Sequence, residues 1–331
     1  MNYKEDSITE QLPELSDIDG KKFLIEVLEG LSGTPKRLQS KYFYDQKGDA
    51  LFQQIMDCPE YYLSRCESEI FQNQAPEMTR FLSSAYDAFD LIELGAGDGT
   101  KSQYLLQSLI DHRIDFTYMP IDISGNILSE LQARLQAQLP DLDVAAFEGD
   151  YFDMLSQATR FSDRPKVVML LGANIGNMDP GEAKLFCKNI RKMLKPGDLA
   201  IIGFDLKKHP RIILDAYNDR GRITSKFNLN LLTRINQQLQ GNFNLDQFEH
   251  YQNYDPGTGA CKSYLVSLRE QVVTIADHNI SFAHDETIFM EVSQKYTLTQ
   301  IDALAQNAGF QPVYRCKDSR GWFIDDFWRA V

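Results

Sequence analysis

Three glycines alternate in the run Leu91-Ile92-Glu93-Leu94-Gly95-Ala96-Gly97-Asp98-Gly99-Thr100-Lys101, which ends an apolar stretch and opens a helical one. Glycine takes positive φ without steric cost and lets backbone amides approach a ligand closely. The spacing is G-x-G-x-G, without the third glycine of a pyrophosphate fingerprint, and Glu93 stands just before the first glycine pair. A carboxylate there repels a pyrophosphate and suits a cationic or hydroxyl-rich ligand. The loop therefore favours S-adenosylmethionine, whose sulfonium is positive, over a nicotinamide dinucleotide. Taken alone it also reads as a purely structural turn. Two acids follow at the ends of the next apolar runs, Asp122 in Met119-Pro120-Ile121-Asp122-Ile123-Ser124 and Asp150 in Glu148-Gly149-Asp150-Tyr151. Asp122 falls where a carboxylate accepts from both ribose hydroxyls, and Asp150 where one accepts from the adenine amino group. Each acid singly also reads as a loop residue or a helix N-cap. Together the three features fall at consecutive strand ends, the edge at which open α/β sheets bind ligands.

Positioning these groups requires a sheet whose strands all end on one side. Helical and apolar extended segments alternate from about residue 66 to residue 204. Ser64 to Leu82 reads as a helix, Phe89 to Leu94 as a strand, and Gly99 to His112 as a helix. Then come the strand Phe116 to Ile123, the helix Asn126 to Gln138, the strand Val144 to Asp150 and the strand Lys166 to Leu171. Asp179-Pro180 opens a further helix, which stops at Lys195-Pro196-Gly197 before the strand Leu199 to Leu206. Such alternation predicts an α/β fold with an open parallel sheet covered on both faces. The pattern then changes. Leu206 to about Gly241 reads as helical, and Phe248 to Tyr254 and Lys262 to Ile275 as extended on either side of the turn Asp255-Pro256-Gly257-Thr258-Gly259. A helix from Thr299 to Ala308, ended by Gly309, and two closing strands resume the first pattern. The reading is an open sheet interrupted after its fifth strand by an inserted α+β subdomain.

The 331 residues carry 34 Lys and Arg against 47 Asp and Glu, a net charge of −13, and 43% hydrophobic residues. This composition is that of a globular chain, and the acidic balance argues against nucleic acid as a partner. No apolar run reaches the ~18–20 residues of a membrane span, and the polar N-terminus shows no signal peptide. Five cysteines without a C-x-x-C pair predict reduced thiols in a cytoplasmic protein. None of the five histidines has ligand spacing, so no metal is expected.

Other blocks are more specific than the glycine loop. They are Lys41-Tyr42-Phe43-Tyr44-Asp45, Gly48-x-x-Leu51-Phe52, Pro59-Glu60-Tyr61-Tyr62, Leu171-Gly172-Ala173-Asn174-Ile175-Gly176-Asn177, Ala216-Tyr217-Asn218-Asp219, Phe227-Asn228-x-Asn230-Leu231-Leu232 and Glu291-x-Ser293-x-Lys295-Tyr296. With them the chain, from about Pro35 to Trp328, resembles the ergothioneine-pathway histidine Nα-methyltransferases and their wider family, which includes fungal dimethylallyltryptophan N-methyltransferases. Read singly, Tyr44 and Tyr61 are ordinary half-buried aromatics, Asn177 a turn residue, and Glu291 with Ser293 a solvated strand face. The resemblance implies roles for them. Tyr44 would orient the reacting amine, with the Gly172 backbone close to the reaction centre. Asn177 and Tyr217 would hold the substrate carboxylate, and Glu291 and Ser293 its imidazole, with Tyr61 alongside. Glu93, Gly95, Gly97, Lys101, Asp122, Asp150 and Tyr151 would hold S-adenosylmethionine. The implied fold is that of a class I, Rossmann-like methyltransferase. Residues 20–65 with 205–295 would form the substrate-binding subdomain, and 66–204 with 296–331 the methyl-donor domain.

Methyl transfer from a sulfonium is an in-line displacement in which the protein supplies orientation and excludes water. The attacking α-ammonium must first lose its proton, which burial beside a cationic sulfonium favours. The expected reaction is methylation of a free amino acid, histidine to trimethylhistidine, by a monomer whose only partners are small molecules. One departure bears on this: Ser263 stands where the family's histidine pocket has a methionine. The alternatives are tryptophan or a related amine as substrate, and a catalytically silent S-adenosylmethionine-binding subunit. Retention of Tyr44, Asn177, Tyr217, Glu291 and Ser293 argues against the silent form.

Overall fold

The computed structural model describes residues 18–331. They divide into two units, one of residues up to Tyr61 with Pro210–Asp255 and Ala260–Val292, the other of Tyr62–His209, Pro256–Gly259 and Ser293–Val331. The first unit begins with helix α1 (Ile18–Ser32), strand β1 (Lys36–Arg37), a 3₁₀ turn (Ser40–Phe43) and α2 (Gln46–Asp57). Asp45 caps α2, its Oδ1 accepting from the Gly48 amide at 2.7 Å. The same oxygen accepts from Asn230 Nδ2 at 2.8 Å. A side chain at position 48 would overlap the Phe43 carbonyl oxygen, so only glycine fits.

The second unit opens with α3 (Leu63–Ala85), then β2 (Ala88–Leu94), α4 (Ser102–Asp111), β3 (Asp115–Asp122), α5 (Gly125–Gln138), β4 (Asp143–Val144), β5 (Phe147–Glu148), α6 (Tyr151–Ala158), β6 (Lys166–Leu170), α7 (Pro180–Met193) and β7 (Leu199–Asp205). β2, β6 and β7 are buried nearly throughout, which is why they read as continuous apolar runs rather than alternating ones. β2 pairs in parallel with β3 and β6, and β6 with β7. The expected single strand Val144 to Asp150 is two short pieces, β4 and β5, each paired with β3 and parted at Ala145-Ala146. Asp179 and Glu182 cap α7 reciprocally with Pro180 inside its first turn, as that dipeptide predicts.

The chain then enters the first unit again through α8 (Pro210–Ala216), α9 (Ile223–Gln238), β8 (Phe248–Tyr254), β9 (Ala260–Ser267), β10 (Gln271–Ile275), β11 (His278–Phe282) and β12 (Thr287–Gln294). Asp219 caps α9, accepting from the Ile223 and Thr224 amides at 2.7 and 2.8 Å. The sheet order is β1-β12-β9-β8, and β10 with β11 forms a separate hairpin. The segment expected to run extended from Lys262 to Ile275 therefore breaks after Ser267. The Ser267 hydroxyl donates to the Arg269 carbonyl at 2.8 Å and accepts from Gln271 Nε2 at 2.7 Å, which folds the backbone out of the strand. Phe43, Ile55, Leu231, Ile275 and Ile288 belong to this unit's core.

α10 (Leu298–Ala308), β13 (Phe310–Lys317) and β14 (Phe323–Ala330) complete the second unit. α10 stops where Gly309 turns left-handed at φ 92°. β14 pairs antiparallel with β7 and with β13, giving the order β13-β14-β7-β6-β2-β3-β4. Ile92, Met119, Val168, Ile202, Ile301 and Trp328 pack its core. This unit is a Rossmann-like α/β sheet in which β14 alone runs against the other strands. All five cysteines are buried, and among the described residues no helix is long and apolar enough to cross a membrane.

Candidate active site

The donor-side residues all belong to the second unit, at the carboxyl ends of neighbouring strands. Gly95, Gly97 and Gly99 take φ of +66°, +52° and +58°, bending the chain from β2 toward α4. The Gly97 amide donates to Asp122 Oδ2 at 3.1 Å and the Gly95 amide to the Ile121 carbonyl at 2.8 Å, so the loop is tied to the end of β3. Asp122 Oδ1 accepts from the Ser124 amide at 3.0 Å, and the Asp122 carbonyl from the Gly149 amide at 3.0 Å. Asp150 is exposed and caps α6 through the Phe152 amide at 2.9 Å. The Tyr151 hydroxyl lies against Gly95, and burial, then Asp122 and Asp150, push it up to about 12. A Cβ at Gly97 would meet nothing within 4 Å. The loop thus leaves an open face beside acids suited to hydroxyl and amino donors, a fit for a nucleoside.

Glu93 lies buried near the end of β2. It is 3% exposed and accepts from the Tyr118 hydroxyl at 2.5 Å. Burial lifts it to about 7, with the Tyr118 and Ser102 hydrogen bonds and Lys101 opposing. That hydrogen bond ties the end of β2 to β3. Lys101 stands at the N-terminus of α4. Its ammonium pairs with the buried Glu67 of α3, which also accepts from the Gly172 amide at 2.7 Å. Burial pulls the Lys101 ammonium down, but Glu67 outweighs it and holds it up. Gly172 has φ +76°, Ala173 φ +54°, and the 3₁₀ turn Asn174–Asn177 follows. The structure thus brings together Gly95, Gly97, Asp122 and Tyr151 in one group, and Lys101 with Gly172 in another.

The residues assigned to the amino acid fall in both units. In the first, Tyr44 is 44% exposed and its ring lies 5.6 Å from Phe52 and 5.7 Å from Phe227. The Tyr61 and Tyr217 rings meet edge to face at 6.2 Å, and Glu291 is half-buried on β12. Ser263, on β9, is 5% exposed and paired in register with Gln252. In the second unit, Asn177 ends its 3₁₀ turn exposed. Ser293 is buried, its oxygen accepting from Lys295 Nζ at 2.8 Å. Lys295 is itself fully buried and paired with Asp205 at 2.7 Å. Asp205 also accepts from the Tyr62 hydroxyl at 2.8 Å.

Sequence periodicity does not mark the buried Glu67 and Asp205 as residues that hold the site's backbone and side chains. The one signal for Glu67 is an acid within the apolar stripe Leu63, Cys66, Ile70 and Phe71 of α3.

A sequence family described as histidine-specific, S-adenosylmethionine-dependent methyltransferase matches residues 23–330. A histidine N-alpha-methyltransferase of Mycolicibacterium smegmatis is 32% identical over 300 residues, 90% of this chain and 92% of that one. Ergothioneine biosynthesis protein 1 of Schizosaccharomyces pombe is 29% identical over 303 residues, 87% of this chain and 39% of the other. An L-tryptophan methyltransferase of Psilocybe serbica is 27% identical over 307 residues, 86% of each chain. With an open, acid-flanked glycine loop of this geometry and a family match over nearly its whole length, the chain belongs to the histidine-specific, S-adenosylmethionine-dependent methyltransferases.

Proposed function

We propose that the protein methylates the α-amino group of free L-histidine to give trimethylhistidine, with S-adenosylmethionine as donor. The family match over residues 23–330 carries this reading, and the open, acid-flanked glycine loop supports it. The bound donor supplies an electrophilic methyl group on a sulfonium. On this side of the site, Asp122 accepts from the ribose, Asp150 from the adenine amino group, and Lys101 and the Gly172 backbone flank the amino-acid part. On the substrate side, Asn177 and Tyr217 hold the carboxylate, Tyr44 orients the amine, and Tyr61 lies along the ring. Glu291 accepts from one ring nitrogen. Ser293 receives a hydrogen from Lys295, an ammonium that cannot accept one, so its own hydroxyl hydrogen is directed to a different acceptor. In the substrate complex that acceptor is the unprotonated ring nitrogen.

Residues 20–65 with 205–295 serve the substrate in this reading, and residues 66–204 with 296–331 the donor. The protein works as a cytoplasmic monomer, with small molecules as its partners and neither nucleic acid nor membrane among them. A second reading, tryptophan, is favoured by Ser263, which is smaller than the methionine of the histidine pocket. Incubation with S-adenosylmethionine and each of the twenty amino acids, followed by mass spectrometry, decides between them. Trimethylhistidine is the expected main product, and a predominance of methylated tryptophan would overturn the histidine assignment.

A further inference from the structure

Glu67 is 0% exposed in the second turn of α3. One of its carboxylate oxygens accepts from the Gly172 amide at 2.7 Å, and the other pairs with the Lys101 ammonium. The first oxygen stands over Gly203 of β7, where a Cβ would come within 2.6 Å of it. Asp325 of β14 pairs in register with Gly203 and is also 0% exposed, and neither of its oxygens has a hydrogen-bond partner among the described residues. Burial, then the neighbouring Glu67, hold the Asp325 carboxyl well above the usual carboxylate range.

A charged pair inside a helix–sheet contact is a poor choice for packing, since an apolar residue of similar volume serves as well or better. What Glu67 holds gives the reason for it. Lys101 follows the glycine loop after β2, and Gly172 follows β6, the strand paired beside β2. We propose that Glu67 is a positioning residue of the methyl-donor site. It fixes the Lys101 ammonium against the Gly172 backbone, so that the remaining N–H donors of Lys101 are already aimed at the anionic carboxylate of the donor's amino-acid part. This rests on the reading that Lys101 and Gly172 line that site. Replacement of Glu67 by glutamine keeps the size and an acceptor for the Gly172 amide, and replaces the charged acceptor that orders Lys101 by an N–H donor, which breaks the ion pair.

The test is calorimetry with S-adenosylhomocysteine on the full chain, with melting temperatures of the ligand-free proteins, for Glu67→Gln, Lys101→Met and the double variant. Glu67→Gln should weaken binding by about tenfold in the unaltered background and by less than about twofold in the Lys101→Met background. Unchanged affinity in Glu67→Gln, or the same loss in both backgrounds, would overturn the proposal. If Glu67→Gln alone does not fold, the double variant is compared with Lys101→Met. Equal affinity supports the proposal, and a further loss of about tenfold overturns it. Failure of the unaltered chain to bind S-adenosylhomocysteine would instead remove the donor reading, and this proposal with it.

Discussion

Asp122 uses both carboxylate oxygens on backbone amides of its own loops, Gly97 at 3.1 Å and Ser124 at 3.0 Å. Each oxygen keeps a second lone pair, so the side chain can shape the loop and still accept from a ribose. Asp122→Ala should therefore weaken S-adenosylhomocysteine binding by ~1–3 kcal/mol in calorimetry. Retained affinity would place the ribose elsewhere. Tyr44 offers a cleaner separation of packing from chemistry. Its ring contacts with Phe52 and Phe227 survive in Tyr44→Phe, which removes the hydroxyl alone. If that hydroxyl acts mainly in the transition state, kcat falls more than KM rises. Unchanged kinetics would leave Tyr44 as packing. Substrate choice turns on Glu291 and Ser293, because a site that hydrogen-bonds a ring rejects analogues lacking the partner better than an apolar wall rejects size. Tryptophan has one ring N–H and no ring acceptor, so one of the pair would lose its partner, at a cost of ~1–3 kcal/mol. Glu291→Ala should erode the preference for histidine over tryptophan more than Ser263→Met alters it, as read in a competition assay with both amino acids.

Between residue and fold stand the short elements that turn sequence blocks into joints. Asp45 ends one block, Gly48 opens the next and Asn230 belongs to a third, and a single carboxylate oxygen joins all three. Asp45→Ala removes the α2 cap and leaves Asn230 Nδ2 without this acceptor, so stability should fall by ~1–3 kcal/mol in urea titration. A change within ~0.5 kcal/mol would mean that the joint contributes little. Much of the sheet was readable because strands covered on both faces must be apolar throughout and turn at glycine, as Phe89 to Gly95 and Leu199 to Asp205 do. The break after Ser267 was not, because its cause is a hydroxyl bridging Arg269 and Gln271 rather than a change in hydrophobic pattern. The same contrast runs through the site. Asp122 and Asp150 could be found because strand ends and glycines mark their places along the chain. Glu67 meets Gly172 from 105 residues away, and periodicity within α3 assigns that position to the core.

At the scale of the whole molecule, two buried groups set opposite slopes of stability against pH, one in each unit. Burial lifts Glu93, in the sheet unit, from 4.5 to about 7, with its hydrogen bonds to Tyr118 and Ser102 opposing. Between those values the folded chain keeps a proton that the unfolded chain has lost. The free energy of unfolding therefore falls as pH rises through that window. Burial lowers His250, on β8 of the other unit, from 6.5 to about 4. Here the unfolded chain binds the extra proton, so stability falls as pH drops from 6.5 toward 4. The windows overlap between 4.5 and 6.5, where the two slopes oppose each other. Substitution separates them. Glu93→Gln should gain stability relative to the unaltered chain as pH rises from about 5 to about 7, by at most ~1.4 kcal/mol per pH unit. His250→Gln should gain relative stability as pH falls from about 6 to about 4, with the same limiting slope. Urea midpoints collected across that range, at constant salt, measure both. A constant offset between Glu93→Gln and the unaltered chain at every pH would show that Glu93 ionises alike in the folded and unfolded chain. Its burial beside Tyr118 would then carry no electrostatic cost.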